Sequence, residues 1–512
     1  MTDDDQRATI AFLRGELAGS DPGAEVTTVE THISVVLIGA TRVWKVKKAV
    51  RLPYLDFGTA ARRLAFCERE LELNRRTAPE LYLAVRRVTQ GAGGLAIDGT
   101  GETVDAVVEM ARFDEAGLLD RLADRGRLDA PLATALAGTI ATFHREAEPA
   151  RGLDASGSAR LGEVLSINEQ GLDAGKALLD PGAIDRVVHG QRALWREHAA
   201  LLDGRQEEGR VRLCHGDLHL RNIVAIDGRP VLFDGIEFDD GLATIDVLYD
   251  LAFLLMDLWH RDLRDTANRV LNRYLDQADE TDGLALLPLF LAMRATVRAH
   301  VAAARHADAR PDERAAVADE ARRYLDLAAS FLEDRPPRLV AIGGRSGTGK
   351  STVAAAVAAG IGRAPGARVL SSDRIRKALF GVAPETRLPP EAYSAEVSER
   401  VYGRLFDEAA RVLATGHGVI ADAVFDREPD RARLERIAAQ AGVAFAGVWL
   451  DAPERVLLER VAARTGDPSD ATSEVVRAQV ARDPGPIGWR RVDASGGDPR
   501  HRLAERLGLA RT

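Results

Sequence analysis

Gly344-Arg345-Ser346-Gly347-Thr348-Gly349-Lys350-Ser351 decides the architecture of the last third of this 512-residue chain. It follows Leu339–Ile342, which reads as an apolar strand, and opens Ser351–Ala359, which reads as a helix. Glycines at this spacing let the backbone curl until successive N–H groups converge, and a helix N-terminus adds partial positive charge at the same point. Such a loop is built for phosphate oxygens. The pattern makes Gly344, Arg345, Ser346, Gly347, Thr348, Gly349, Lys350, Ser351 and Thr352 a nucleotide cradle. Within it the Lys350 ammonium would reach the β/γ-phosphates and Ser351 would also hold Mg2+. ATP and Mg2+ are the implied cofactors.

Working outward, Val369-Leu370-Ser371-Ser372-Asp373 ends a second apolar strand in a carboxylate. Asp373 would take the proton of an acceptor hydroxyl, or simply cap the following helix. Arg376, one turn on, would bind an anionic part of the acceptor. Val419-Ile420-Ala421-Asp422 ends another strand in an acid, where Asp422 would contact the Mg2+ shell or serve as a cap. Arg455, Arg460 and Arg464 on the helix Glu454–Arg464 fit either a lid over the transferring phosphoryl group or a solvated helix face. The strand–helix alternation is that of a parallel α/β sheet. Upstream, Pro336-Pro337 ends a helical pattern over Asp312–Leu332, so the chain divides into residues 1–334, a linker at 335–338, and 339–512.

The second decisive stretch is His215-Gly216-Asp217-Leu218-His219-Leu220-Arg221-Asn222, with Val231-Leu232-Phe233-Asp234 ending a strand downstream. Asp217 and Asn222 stand five apart, the spacing of a kinase catalytic loop. Asp217 would orient and deprotonate an acceptor hydroxyl, while Asn222 and Asp234 would hold Mg2+. Residues 25–112 read mostly as strands with one helix, Thr59–Arg76. Helices follow at Pro131–Ala147, Ile184–Leu202, Asp246–Trp259 and most of Asp262–Leu332. Arg42-Val43-Trp44-Lys45-Val46-Lys47-Lys48 holds three of only six lysines among 69 basic residues. If Lys45 binds phosphate, Val43 shares its face and covers the adenine; Lys47 is the alternative. No G-x-G-x-x-G lies ahead of Lys45, where Leu37-Ile38-Gly39-Ala40-Thr41 offers a single glycine.

The C-terminal region resembles small-molecule P-loop kinases of the gluconate-kinase and zeta-toxin type over about 170 residues. That resemblance rests on the phosphate loop, Ser372-Asp373-x-x-Arg376 and the Arg-bearing lid. It leaves the acceptor open, because the acceptor-binding segment, about Leu379–Tyr402, is where such kinases differ. Residues 25–330 resemble aminoglycoside phosphotransferases and choline kinase-like enzymes, in which Gly follows the catalytic-loop His. That resemblance implies a protein-kinase-like fold and selects Glu70, from Cys67-Glu68-Arg69-Glu70-Leu71-Glu72, as the partner of the phosphate-binding lysine. It also makes Val107–Ala111 the strand entering an adenine-binding hinge, unless that segment is only the end of a core strand. Together the two parts resemble bacterial proteins in which an aminoglycoside-phosphotransferase-like domain precedes a P-loop kinase-like domain.

Composition narrows the partners. A formal charge of −9 argues against a broad nucleic-acid-binding surface. The apolar runs near Val247–Trp259 and Leu284–Met293 contain acids or fall short of the ~20 residues of a bilayer span. The acidic start Met1-Thr2-Asp3-Asp4-Asp5 is not that of a signal peptide. Cys67 and Cys214 have no metal-type spacing and read as buried hydrophobes, and His144 and His219 read as structural. Asp239, Asp240, Asp246 and Asp250 would attract a cationic acceptor, Asp250 more as a structural group. The expectation is a cytoplasmic tandem ATP/Mg2+ phosphotransferase acting on small-molecule hydroxyls, without nucleic-acid or membrane partners. Its rivals are an antibiotic-modifying kinase with an accessory P-loop domain, and one kinase regulated by nucleotide in the other domain.

Overall fold

The computed structural model describes residues 3–20, 25–52, 55–463 and 469–496. Two compact units divide the chain: Met1–Asp154 with Arg205–Leu254, and Ala155–Gly204 with Leu255–Thr512. The helices from Leu255 onward therefore belong to the same unit as the phosphate loop, although they precede the Pro336-Pro337 linker.

In the first unit an antiparallel six-stranded sheet runs in the order Thr27–Glu30, Ser34–Ile38, Arg42–Lys47, Glu102–Ala111, Tyr82–Gly91, Gly94–Ile97. Side-chain alternation sorts the Lys45 strand into two faces. Trp44 and Val46 pack with Leu13 and Leu17 of a helix, Asp3–Ser20, that sequence reasoning passed over. Val43 packs on the opposite face, against a cluster that includes Cys67. The helix carrying Cys67, Ala60–Asn74, starts where Thr59 Oγ1 accepts from the Arg62 N–H. Its buried residues are Arg63, Cys67, Glu70, Leu73 and Asn74. Three of those five are polar, and each has partners within the fold: Arg63 Nε donates to Asp105 at 2.7 Å, for example. This helix face is built for a site rather than for apolar packing alone.

The second unit contains the parallel five-stranded sheet, ordered Arg368–Ser371, Val419–Asp422, Arg338–Gly344, Ala444–Asp451, Arg490–Asp493. Helices Gly157–Ala174, Pro181–Glu197, Leu287–Asp308 and Arg314–Phe331 belong to the same unit. An edge strand leaves unpaired backbone groups, and here helix Arg264–Leu275 supplies the missing partner. Asn272 Oδ1 accepts from the Val369 N–H at 2.7 Å, and Asn272 Nδ2 donates to the Ala367 carbonyl at 3.1 Å. One carboxamide thus stands in for a neighbouring strand.

Thr281–Asp308 is long and apolar enough, by averaged hydropathy, to cross a membrane, but 72% of its most apolar window is buried inside the protein. Its burial is that of a core helix.

Burial holds His300 and His417 of this unit down near 4. Both fold neutral, so the unfolded chain binds the extra protons and stability falls as pH drops from about 6.5 toward 4. Each histidine is expected to cost on the order of 2 kcal/mol between pH 7 and pH 5. Thermal melts across that range are expected to show the loss, and His417→Leu is expected to flatten the profile.

Candidate active sites

In the first unit a cavity of about 320 Å3 combines apolar walls, among them Val36, Ile38, Val43, Met110 and Phe233, with Lys45, Asp217, Asp234 and Glu237. Lys45 Nζ donates to Glu70 Oε1 at 2.8 Å and to Asp234 Oδ1 at 2.5 Å. Lys47 lies behind it, fully buried, donating to Glu70 Oε2 at 2.7 Å and to Glu237. Of the two lysines left open by the sequence, Lys45 faces the cavity and Lys47 does not. Burial lowers the Lys45 pKa, but Asp234 and Glu70 outweigh it and hold it well above the ordinary value. Burial would likewise raise Glu70, yet Lys45 and Lys47 pull it down to about 2. Glu237 goes the other way, because burial exceeds the pull of Lys47.

The loop around Asp217 is held from behind. Asp250 is buried and accepts the backbone N–H groups of His215 at 3.2 Å and Gly216 at 2.9 Å, while His144 Nε2 lies 3.1 Å from it. Gly216 has φ +82°, and a Cβ there would meet the Ile236 side chain at 3.0 Å. This gives glycine at that position a steric reason. Asn222 Nδ2 donates to Asp217 Oδ2 at 2.9 Å and to the Asp217 carbonyl at 3.0 Å. His219 Nε2 is 3.3 Å from the same carboxylate. Asp234 sits in the left-handed region at φ +62°, with its N–H on Tyr82 Oη at 3.1 Å. That conformation is uncommon outside glycine, and here it accompanies the Asp234–Lys45 pair.

The turn on the cavity is Thr31–Ser34, closed by the Thr31 N–H on the Ser34 carbonyl at 2.8 Å. Thr31–Ser34 contains no glycine, so no motif marked it. The acids near Asp239 have partners within the fold. Asp246 takes a two-pronged bond from Arg205 at 2.6 and 2.8 Å, Asp239 caps the helical turn Asp240–Ala243, and Asp240 pairs with Arg69 at 2.8 Å. Cys67 and Cys214 are buried thiols whose Sγ atoms donate to the Ala106 and Ile245 carbonyls at 3.7 and 3.5 Å.

In the second unit a cavity of about 220 Å3 is lined by Ser346, Gly349, Lys350, Ser351 and Thr352 of the phosphate loop, and by Asp373, Arg376 and Asp422. Ser351 Oγ donates to Asp422 Oδ2 at 2.6 Å. Gly344, Arg345, Gly347 and Thr348 shape the loop without lining the cavity. Thr348 Oγ1 and Lys350 Nζ both donate to the Arg345 carbonyl, at 2.8 and 3.1 Å. Gly347 has φ +91°, and a Cβ would lie 2.8 Å from the Leu457 carbonyl oxygen. Arg376 is buried, donates to the Ala392 carbonyl at 2.6 Å, and stacks over the Tyr393 ring at 4.8 Å.

Arg460 is not on the cavity. It donates to the Gly347 and Ala494 carbonyls at 3.4 and 2.8 Å, bracing the phosphate loop from behind. Arg455 is exposed and paired with Glu459, and Arg464 lies outside the described residues. Sequence reasoning missed Gln479, whose Oε1 accepts from the Ser346 N–H at 2.8 Å. It also missed Asp470, bound by Lys377 Nζ, Tyr393 Oη and the Leu388 N–H. The scarcity of lysine was a usable signal for the second: Lys377 is fully buried in that pair.

Comparison with known proteins gives a coherent picture. The Phosphotransferase enzyme family pattern matches residues 49–287, and the AAA domain pattern matches 339–485. An uncharacterized protein of Mycobacterium tuberculosis is 32% identical over 482 residues, spanning 92% of this chain and 93% of the relative; a Mycobacterium bovis protein matches equally. Among solved structures, a choline/ethanolamine kinase family protein from Mesorhizobium loti is 14% identical, with TM-score 0.37, covering 62% of this chain and 99% of its own. A gluconokinase from Sinorhizobium meliloti is 24% identical, with TM-score 0.24, covering 34% of this chain and 97% of its own.

Proposed function

The chain belongs to the family of these mycobacterial proteins, a phosphotransferase domain followed by a P-loop kinase-like domain, and on that premise we propose that both domains transfer the γ-phosphoryl group of ATP to hydroxyls of small molecules. One observation carries the reading: Lys45, clamped by Glu70 and Asp234, shares an apolar-walled cavity with Asp217. In the first unit Lys45 would grip nucleotide phosphates while the apolar wall covers the base. The Asp217 carboxylate, aimed by Asn222, would accept the proton of the acceptor hydroxyl. In the second, phosphate-loop N–H groups and Lys350 would hold the phosphates, and Asp373 would take the acceptor proton. Arg376 would bind an anionic part of that acceptor. Positioning and charge neutralisation do most of the catalytic work in such transfers.

The donor sets fit Mg2+. Asp234 and Asn222 offer hard oxygens in the first site, and the Ser351–Asp422 pair, 2.6 Å apart, offers them in the second. Bound there, the ion would neutralise charge on the transferring phosphate oxygens. Asp246 and Asp250 are buried on internal partners, which leaves Asp239 and Asp240 as the acids that could meet a cationic acceptor.

The test is acceptor-dependent ATP turnover by the full chain with a pooled library of hydroxylated metabolites, in wild type, Lys45→Met and Lys350→Ala. Each variant is expected to remove a different part of the turnover. If one variant removes all of it, the other domain is not a kinase and the tandem reading fails.

A further inference from the structure

A phosphoryl group in transfer spreads its charge over three equatorial oxygens. In the second unit Lys350, and Mg2+ at Ser351 and Asp422, would answer two of them. An arginine lid was expected to meet the third. Arg460 instead braces the phosphate loop from behind, and Arg455 is exposed and paired with Glu459. Neither of these arginines takes that part.

The cavity wall offers a different donor. Helix Ser473–Ala481 turns Val476 into the buried core and packs Val480 against it, while Val475 and Gln479, one turn apart, line the phosphate-loop cavity. The Gln479 side chain is already oriented. Its Oε1 accepts from the Ser346 N–H at 2.8 Å, and its backbone carbonyl accepts from Arg345 Nε at 3.3 Å. Only the oxygen of a carboxamide can accept from an N–H, so the bond to Ser346 fixes which way the amide is turned. Nε2 keeps both of its N–H groups, with no hydrogen-bond partner among the described residues.

The support is tied down on both sides. Ahead of the helix, Thr472 Oγ1 accepts from the Val475 N–H, and Asp470 Oδ2 accepts from Lys377 Nζ, Tyr393 Oη and the Leu388 N–H at 2.5, 2.5 and 2.9 Å. Behind it, Arg482 pairs with Asp426 at 2.9 Å. A donor fixed before the charge develops needs no reorganisation at the moment of reaction.

We propose that Gln479 binds the transferring phosphoryl group of the second site: with Oε1 held by the Ser346 N–H, Nε2 donates to a γ-phosphate oxygen. This role presupposes that the P-loop domain is an ATP-dependent kinase, as proposed above. A carboxamide outside the phosphate-loop motif then does what was expected of the arginine lid.

Calorimetry on the full chain, with the first site silenced by Lys45→Met, tests it by comparing the non-hydrolysable ATP analogue AMP-PNP with ADP, both with Mg2+. Gln479→Met keeps the length of the side chain and removes the donors. AMP-PNP is expected to bind it about tenfold more weakly than the Lys45→Met parent, and ADP within about twofold. Gln479→Glu can still accept from Ser346 but sets a carboxylate beside the phosphate, and is expected to weaken AMP-PNP further. Equal losses for both nucleotides would make Gln479 only a brace of the loop. Tighter AMP-PNP binding by Gln479→Met would make it a competitor that phosphate must displace. Either result, or unchanged AMP-PNP affinity, overturns the assignment. Lys350→Ala in the same background tells which reading has failed. If it leaves AMP-PNP binding intact, the phosphate-loop site falls and this role with it; if it removes binding while Gln479→Met does not weaken it, this role alone falls.

Discussion

Asp217→Asn is expected to lower acceptor-dependent turnover in the first unit about a thousandfold, while ATP affinity changes by less than about threefold. The carboxamide keeps the size of the carboxylate, and Asn222 can still donate to the Asp217 backbone carbonyl, now 3.0 Å away. The loop itself stays tethered through Asp250 to the His215 and Gly216 N–H groups. What is lost is an acceptor for the hydroxyl proton and a negative charge that orients the nucleophile. Steady-state kinetics separate this from a folding defect: kcat should collapse with KM for ATP nearly unchanged and the melting temperature within a degree or two. Unchanged kcat would remove Asp217 from the chemistry. A large rise in KM alone would make it a nucleotide-binding group.

The same residue shows how far sequence reasoning reached. Asp217 and Asn222 lie five apart on one loop, and Gly344–Ser351 is one continuous stretch from a strand end to a helix start. Their chemistry is set by local backbone geometry, so spacing carries it. The parallel sheet and the helix Ala60–Asn74 were legible for the same reason, through periodicity and strand–helix alternation. Partners that arrive from elsewhere in the chain were not. Glu237 and Gln479 act through contacts with Lys47 and the Ser346 N–H, and nothing local distinguishes them from other polar residues. Arg460 shows the converse error. Its place on a helix near the phosphate loop suggested a lid, but its guanidinium ends on two backbone carbonyls. Asp3–Ser20 was weighed for its acidic start alone, whereas Leu13 and Leu17, one helical turn apart, already marked a buried face.

The choice between Lys45 and Lys47, open in the sequence, yields the largest expected stability effect. Lys47→Met should cost about 3–5 kcal/mol, since removing one member of a buried ion pair strands the other charge. Here Glu237 is stranded and Glu70 loses one of its two lysines, both carboxylates being buried. That is a large part of a typical folding free energy of about 5–15 kcal/mol. For a unit of this size it corresponds to roughly 10 °C in melting temperature. The double variant Lys47→Met/Glu237→Leu should recover at least about half of the loss, because Glu70 keeps Lys45 and the stranded charge is gone. Lys45→Met should behave oppositely. Lys45 is 13% exposed and faces the cavity, so its loss should abolish turnover in the first unit with a smaller drop in melting temperature. Melts and turnover measured on the three variants distinguish the roles: Lys47 holds Glu70 in place, and Glu70 holds the lysine that meets the nucleotide. A Lys47→Met protein with wild-type stability and no nucleotide affinity would reverse that order and make Lys47 the phosphate ligand.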